Sequence, residues 1–202
     1  MKNLKIMSLL LGGLLAFGSL TSCGDDDEPE VMKATSAKAE YVVNLSQDLL
    51  DAANVIIYYM DSNGEQAQET VTTTTWTKSV SFAKLPAQAG FSVQPTLKGE
   101  PTQEEYTIEA TGQMTLTLLD QKGKTFGEPF VSQLLQIKGQ LGPDYLEKYL
   151  TRISTRVSEA KEIAADGTFA DTTISWGGNT DIDDPNRDTE ITNEGATGKT
   201  RG

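Results

Sequence analysis

The chain has no histidine, and a single cysteine, Cys23, among its 202 residues. Without imidazole, the Ser-His-Asp and Cys-His nucleophile arrangements fall away, and so does every Cys/His zinc site. One thiol closes no intramolecular disulfide, so stability has to come from a hydrophobic core. Cations are also scarce. Lys and Arg number 17 against 29 Asp and Glu, a formal net charge of −12. That balance argues against nucleic acid, whose phosphates demand clustered Lys and Arg. It also argues against a chain lying flat on an anionic bilayer, and it favours solubility. No apolar run reaches the about 20 residues that a membrane-crossing helix needs. What remains for chemistry is paired carboxylates, Ser/Lys pairs, or calcium held by oxygen ligands.

The longest apolar run does carry information. Lys2 and Lys5 stand before it without an acid, and residues 6–18 are rich in leucine. A basic start followed by a short apolar stretch has the form of a signal peptide. The stretch closes on Leu20-Thr21-Ser22-Cys23, followed by Gly24-Asp25-Asp26-Asp27-Glu28. Leu-Thr-Ser-Cys resembles the lipobox of bacterial lipoproteins. The resemblance implies cleavage between Ser22 and Cys23, acylation of the Cys23 sulfur, and acylation of the new amino terminus. Several acyl chains, at about 0.8 kcal/mol per buried CH₂, exceed what stable anchoring needs. The acid run at 25–28 is similar to the export signal of surface-exposed lipoproteins of Bacteroidota. It implies an outer-membrane protein facing the cell exterior; a spacer on a periplasm-facing lipoprotein is the alternative. Cleavage removes two lysines and no acid, which takes the net charge from −12 to −14. The expected domain plan is a signal peptide at 1–22 and a lipidated acidic tether at 23–36.

Residues 37–125 read as β structure. Tyr41, Val43 and Leu45 alternate within 39–45, and Ser46 is placed to cap a short helical turn. Residues 55–60 are β-branched and aromatic, as a central strand should be. Asp61-Ser62-Asn63-Gly64 offers a type I′ hairpin turn, and 65–74 would return antiparallel. In 76–82, Trp76, Val80 and Phe82 share one face, with Lys78 the exception. Residues 89–97 follow, with Pro95 restricting them to an edge or a bulge. Then come 106–110, a break at Thr111-Gly112, 114–119, and a turn at Asp120-Gln121-Lys122-Gly123. Six or seven short strands with turns every 8 to 15 residues predict a mainly β fold, an antiparallel β-sandwich. The rhythm resembles immunoglobulin or fibronectin type III modules. The Cys…Trp…Cys signature of true immunoglobulin domains is absent.

From residue 126 the character changes. Periodicity leaves 130–137 open between strand and helix. Leu146, Tyr149, Leu150, Ile153, Val157, Ala160 and Ile163 recur at spacings of three and four, which predicts a C-terminal amphipathic helix over 143–164. Residues 168–176 alternate again as a closing strand. The segment 126–176 is therefore read as a strand and helix extension packed on the sandwich, and 177–202 as a disordered acidic tail.

Candidate sites are few. Trp76 and Tyr59 are the best candidates for an aromatic platform under a sugar ring, against the commoner burial of such rings in a core. Lys148, Arg152 and Arg156 form one basic stripe on the helix, open to an anionic ligand, to docking of the acidic tail or to plain solvation. Glu104-Glu105 point to opposite faces of an extended chain and make no glycosidase pair. In 179–190 acids alternate as calcium ligands do, but the sixth place of an EF-hand loop holds Asp184 instead of Gly, although Glu190 stands at the twelfth. A solvated tail is preferred there, and no metal, cofactor or catalytic residue is assigned. The leading expectation is a lipid-anchored, non-catalytic binding or scaffold protein at the outer-membrane surface. It meets the membrane through its acyl chains, and carbohydrate or a partner protein outside the cell, but no nucleic acid. The alternatives are a carboxylate-based, glycosidase-like hydrolase and a purely structural envelope lipoprotein.

Overall fold

The computed structural model describes residues 33–178; Cys23, the leader, the acidic run and the tail from 179 onward lie outside the described residues. In chain order the elements are β1 (Ser36–Leu45), α1 (Gln47–Ala52), β2 (Ala53–Met60), β3 (Gln66–Val71), β4 (Thr75–Phe82), β5 (Ala87–Leu97) and β6 (Tyr106–Leu119). There follow β7 (Phe130–Val131), β8 (Leu135–Leu141), α2 (Leu146–Arg156), β9 (Ser158–Ile163) and β10 (Phe169–Asp171). One sheet has the order β4-β1-β6-β7, with β8 also on β6, and the other β10-β9-β5-β2-β3. All pairings are antiparallel. The expectation of a mainly β chain with one amphipathic helix in its C-terminal half holds. Among the described residues no helix is long and apolar enough to cross a membrane.

Local chemistry accounts for the turns. The β2–β3 connection closes with Gly64 N–H on the Asp61 carbonyl (3.1 Å) and Asp61 N–H on the Glu65 carbonyl (2.9 Å). Gly64 sits at φ +78. This is a three-residue loop with a glycine bulge, not the two-residue type I′ turn expected. Asp61 selects it, because its Oδ1 accepts the N–H groups of both Asn63 (2.8 Å) and Glu65 (3.0 Å). Asp120 and Gly123 repeat the same bonds before β7. Ser46 caps α1 as expected, its Oγ accepting the Leu49 N–H at 3.3 Å.

Further expectations are corrected. Residues 106–119 are one strand, β6, which pairs with β1 from Leu119 back to Ala110. Gly112 is not a break. A Cβ there would stand 2.5 Å from the Phe91 ring and 3.0 Å from Val157. The glycine admits the ring of the facing sheet.

The helix over 143–164 is shorter. A 3-10 turn at Pro143–Tyr145 leads into α2, which stops at Arg156. Residues 158–163 are strand β9 instead, paired with β5. Val157 makes the switch in one residue: its N–H closes the helix on Ile153 O (2.8 Å), and its own carbonyl accepts Val93 N–H (3.0 Å). Sheet pairing overrides the helical spacing of Val157, Ala160 and Ile163. Within the segment 126–176, β8 joins the first sheet and β9 the second.

Pro95 lies in β5, a central strand by sheet order. On the β9 side, however, pairing ends at Ser92. Val93 N–H already points to Val157 on that side, while Lys98 N–H points to Ala52 on the β2 side. By alternation the missing N–H of Pro95 faces the side without a strand, the local condition of an edge.

Within 168–176 only Phe169–Asp171 is strand. The chain then crosses the outer face of the second sheet. Thr172 N–H reaches the Ala160 carbonyl on β9 (3.3 Å). Gln66 on β3 donates to Ser175 O (2.7 Å) and accepts Gly177 N–H (3.2 Å). Trp176 is buried beneath this strap.

The two sheets share one core. Tyr41 on β1 stacks obliquely on Tyr59 of β2 (6.5 Å between centroids) and on Phe91 of β5 (5.9 Å). Its hydroxyl accepts Gly90 N–H at 3.2 Å, and burial pushes its pKa far above the ordinary phenol range. Helix α2 packs against β8 of one sheet and β5 of the other, burying Leu146, Leu150 and Ile153. Gly112→Ala should cost about 1–3 kcal/mol through overpacking. Urea denaturation should show the transition midpoint fall with its slope unchanged; an unchanged midpoint would mean that the Phe91 ring is not seated against residue 112.

Candidate functional site

Two polar clusters close the lateral openings between the sheets. The first lies where β3, the edge of one sheet, meets β4, the edge of the other. Glu69 on β3 is its hub. Its Oε1 accepts the Tyr59 hydroxyl (3.1 Å) and Lys78 Nζ (2.5 Å), and its Oε2 accepts the Trp76 indole N–H (2.8 Å). Lys78 also lies over the Tyr59 ring, 4.8 Å from its centroid, a cation–π arrangement. The rings of Tyr59 and Trp76 are 5.8 Å apart. Bonding to Lys78 first, and then to Trp76, holds the Glu69 carboxyl below its usual range, and Glu69 holds the Lys78 ammonium above its own.

This geometry corrects the aromatic platform expected at Tyr59 and Trp76. They are 7% and 8% exposed, both in the core, and neither offers a flat face to a sugar ring. Alternation on β2 and β4 turns both inward, and Glu69 uses up their polar ends. The sequence carried one signal for the cluster: Lys78, the cation that breaks the apolar face of Trp76, Val80 and Phe82. Glu69, within the polar strand 66–71, gave none. A charge turned inward on an edge strand also blunts that edge against pairing with another chain.

The second cluster lies at the opposite side. Lys161 on β9 pairs with Asp171 on β10 and with Glu159 (3.7 Å). It sits 5.0 Å over the Phe130 ring of β7, which contacts Phe169 of β10 at 5.4 Å. Glu159 Oε2 is buried without a partner. Both clusters therefore set a lysine against a carboxylate and an aromatic ring.

A cavity of about 240 Å³ lies between the end of α1 and the loop 98–105, lined among others by Asp51, Lys98, Glu100 and Tyr106. The Tyr106 hydroxyl ties this loop back on itself, accepting the N–H groups of Thr102 (2.8 Å) and Gln103 (3.0 Å). Lys98 Nζ is engaged by the Leu50 carbonyl at 2.5 Å. Glu104 and Glu105 are exposed in the same loop, and Glu105 accepts from Gln140 on β8. Among the described residues no group of three or more Asp or Glu could hold a metal ion. The acids at 179–190 lie outside the described residues, as does Cys23. Lys148 and Arg152 are exposed on α2, as the helical spacing implied.

No protein-family model matches the chain, and no curated protein is similar to it in sequence.

The pH dependence of the first cluster follows from its directions. Glu69 is depressed when folded, so its contribution is complete above the ordinary value of 4.5 and is lost as pH falls through the folded value. Glu69→Gln should cost about 1–2 kcal/mol at pH 7, a modest figure because the carboxylate is partly solvated. Parallel denaturation of parent and variant should show the gap closing on acidification below pH 4.5. A gap constant from pH 7 to 3 would remove the charge from this account.

Proposed function

We propose that this chain is a lipid-anchored, non-catalytic binding or scaffold protein displayed at the outer-membrane surface, on an immunoglobulin-like β-sandwich. The observation that carries the anchor is Leu20-Thr21-Ser22-Cys23 closing an apolar run, with Gly24 and four acids directly after it. β1 starts at Ser36, 36 − 23 = 13 positions past Cys23, a length of chain that serves as a tether.

The pairing pattern supports the fold reading. β1 pairs β4, as strand B pairs E in an immunoglobulin sandwich, and β2 pairs β5, as C pairs F. β3 and β9 flank β2 and β5, as C′ and G flank C and F. β6 takes the place of strand A beside β1, although it comes later in the chain.

The non-catalytic reading rests on composition and geometry. The chain has no imidazole, and its one thiol is assigned to lipid. The half-buried carboxylates Glu69 and Glu159 face lysines and aromatic rings rather than each other. Carbohydrate or a partner protein outside the cell is the ligand class this placement favours.

Cys23→Ala tests the anchor. The parent should fractionate with membranes, with mass spectrometry showing an acylated amino-terminal cysteine. The variant should lose acylation and leave the membrane fraction. Labelling of intact cells with a membrane-impermeant biotin reagent should mark the parent; an unlabelled parent would put the domain on the periplasmic side. A bare thiol on an uncleaved chain would overturn the anchor.

A further inference from the structure

The exposed face of α2 combines an exposed tyrosine with two exposed cations. Tyr145, at the entry to the helix, is 64% exposed, the most exposed large apolar side chain among the described residues. Lys148 and Arg152 follow at i+3 and i+7, on the same helical face. Between them Tyr149 is half-buried, with the Arg152 guanidinium 5.6 Å from its ring centroid. The Tyr149 ring lies where residue 139 of β8 would carry a Cβ, so Gly139 leaves the slot that seats it. Ring and guanidinium are thus positioned from below before any ligand arrives. Asp144 and Glu147 flank the patch, yet among the described residues neither pairs with Lys148 or Arg152.

Two cations one turn apart repel each other unless an anion lies between them. On a chain of net charge −12 they make a local exception, so the attraction they offer is short-ranged and confined to this face. A guanidinium suits a planar carboxylate or a sulfate through paired N–H bonds. An exposed tyrosine ring suits the C–H face of a pyranose, with its hydroxyl left for the sugar's polar edge. Tyr145 and Arg152 are seven residues apart, about 10.5 Å along the axis, which exceeds one sugar ring. Nucleic acid is disfavoured by the body's charge, and a peptide of acidic residues alone brings no ring face to lay on Tyr145.

We infer that the Tyr145–Lys148–Arg152 face of α2 binds an acidic polysaccharide, a chain of pyranoses bearing carboxylate or sulfate groups. This deepens the anchored binding-module reading and rests on it for the ligand's location outside the cell.

The test uses the full-length protein in detergent and two probes, polygalacturonate and a sulfated galactan, by calorimetry or affinity electrophoresis. Saturable binding to at least one should weaken with added salt. Methyl-esterified polygalacturonate, which keeps the rings and loses the charge, should bind at least about tenfold more weakly. The double variant Lys148→Gln/Arg152→Gln should lose about tenfold or more, and Tyr145→Ala should lose affinity that added salt does not account for. All three positions are exposed, so unfolding midpoints should fall by no more than the loss of the exposed Arg152–Tyr149 contact explains. The inference is overturned if neither polymer binds, if the esterified polymer binds equally, if the variants bind like the parent, or if polyglutamate competes as well as the polysaccharide. A lipidated, surface-labelled protein that ignores both polymers would sink this site alone. Polymer binding by a chain with a bare Cys23 would sink the anchor alone.

Discussion

The fold depends on a line of rings laid across the gap between two sheets. Trp76, Tyr59, Tyr41 and Phe91 touch in succession, and they alternate between the first sheet and the second. Such rings bury large areas and prefer the tilted contacts seen here. Two glycines set the close approaches, one of a ring and one of a strand. Gly112 yields its Cβ position to Phe91, and Gly90 lets β9 approach so closely that a Cβ would stand 2.6 Å from the Glu159 carbonyl. Register follows from these fits. A slip of one residue on any of these strands would turn its rings to the outside.

Around that line the structure manages its openings. At the β3/β4 side, Glu69 satisfies one phenol, one indole and one ammonium together. At the β9/β10 side, Lys161 sits among two carboxylates and the Phe130 ring. Helix α2 fills the place beside β5 that β9 leaves empty beyond Ser92. These devices are chiefly structural, and they direct attention outward, to surfaces that packing does not explain. The cationic, tyrosine-bearing side of α2 is such a surface. A domain held to a membrane by a tether would present it to whatever lies outside, in keeping with the proposed role.

Much of this was legible in advance, and the misses have physical causes. Period-two alternation located β1 and β4, β-branched and aromatic content located β2, and Asp61-Gly64 and Asp120-Gly123 marked two turns, because these signals are local. Gly112 misled because a glycine at a turn and a glycine admitting a neighbour's ring look alike in sequence. The end of α2 misled because Val157, Ala160 and Ile163 satisfy helical spacing, and no glycine or proline stops the helix. Tyr59 and Trp76 could be named as notable without Glu69, their common partner, since that carboxylate reaches them only when β3 and β4 meet.

Composition and local pattern by themselves determined the absence of imidazole chemistry, the acidic character, the strand-rich middle and the apolar face of a helix near residue 150. These properties belong to single segments and need no neighbour. Only the tertiary structure decided that β6 runs unbroken, that 158–163 joins a sheet, that Pro95 stands where its missing N–H costs nothing, and that a lone lysine on β4 finds its carboxylate on β3. Each of those outcomes turns on a partner distant in sequence, and a chain read one residue at a time does not contain the distance between them.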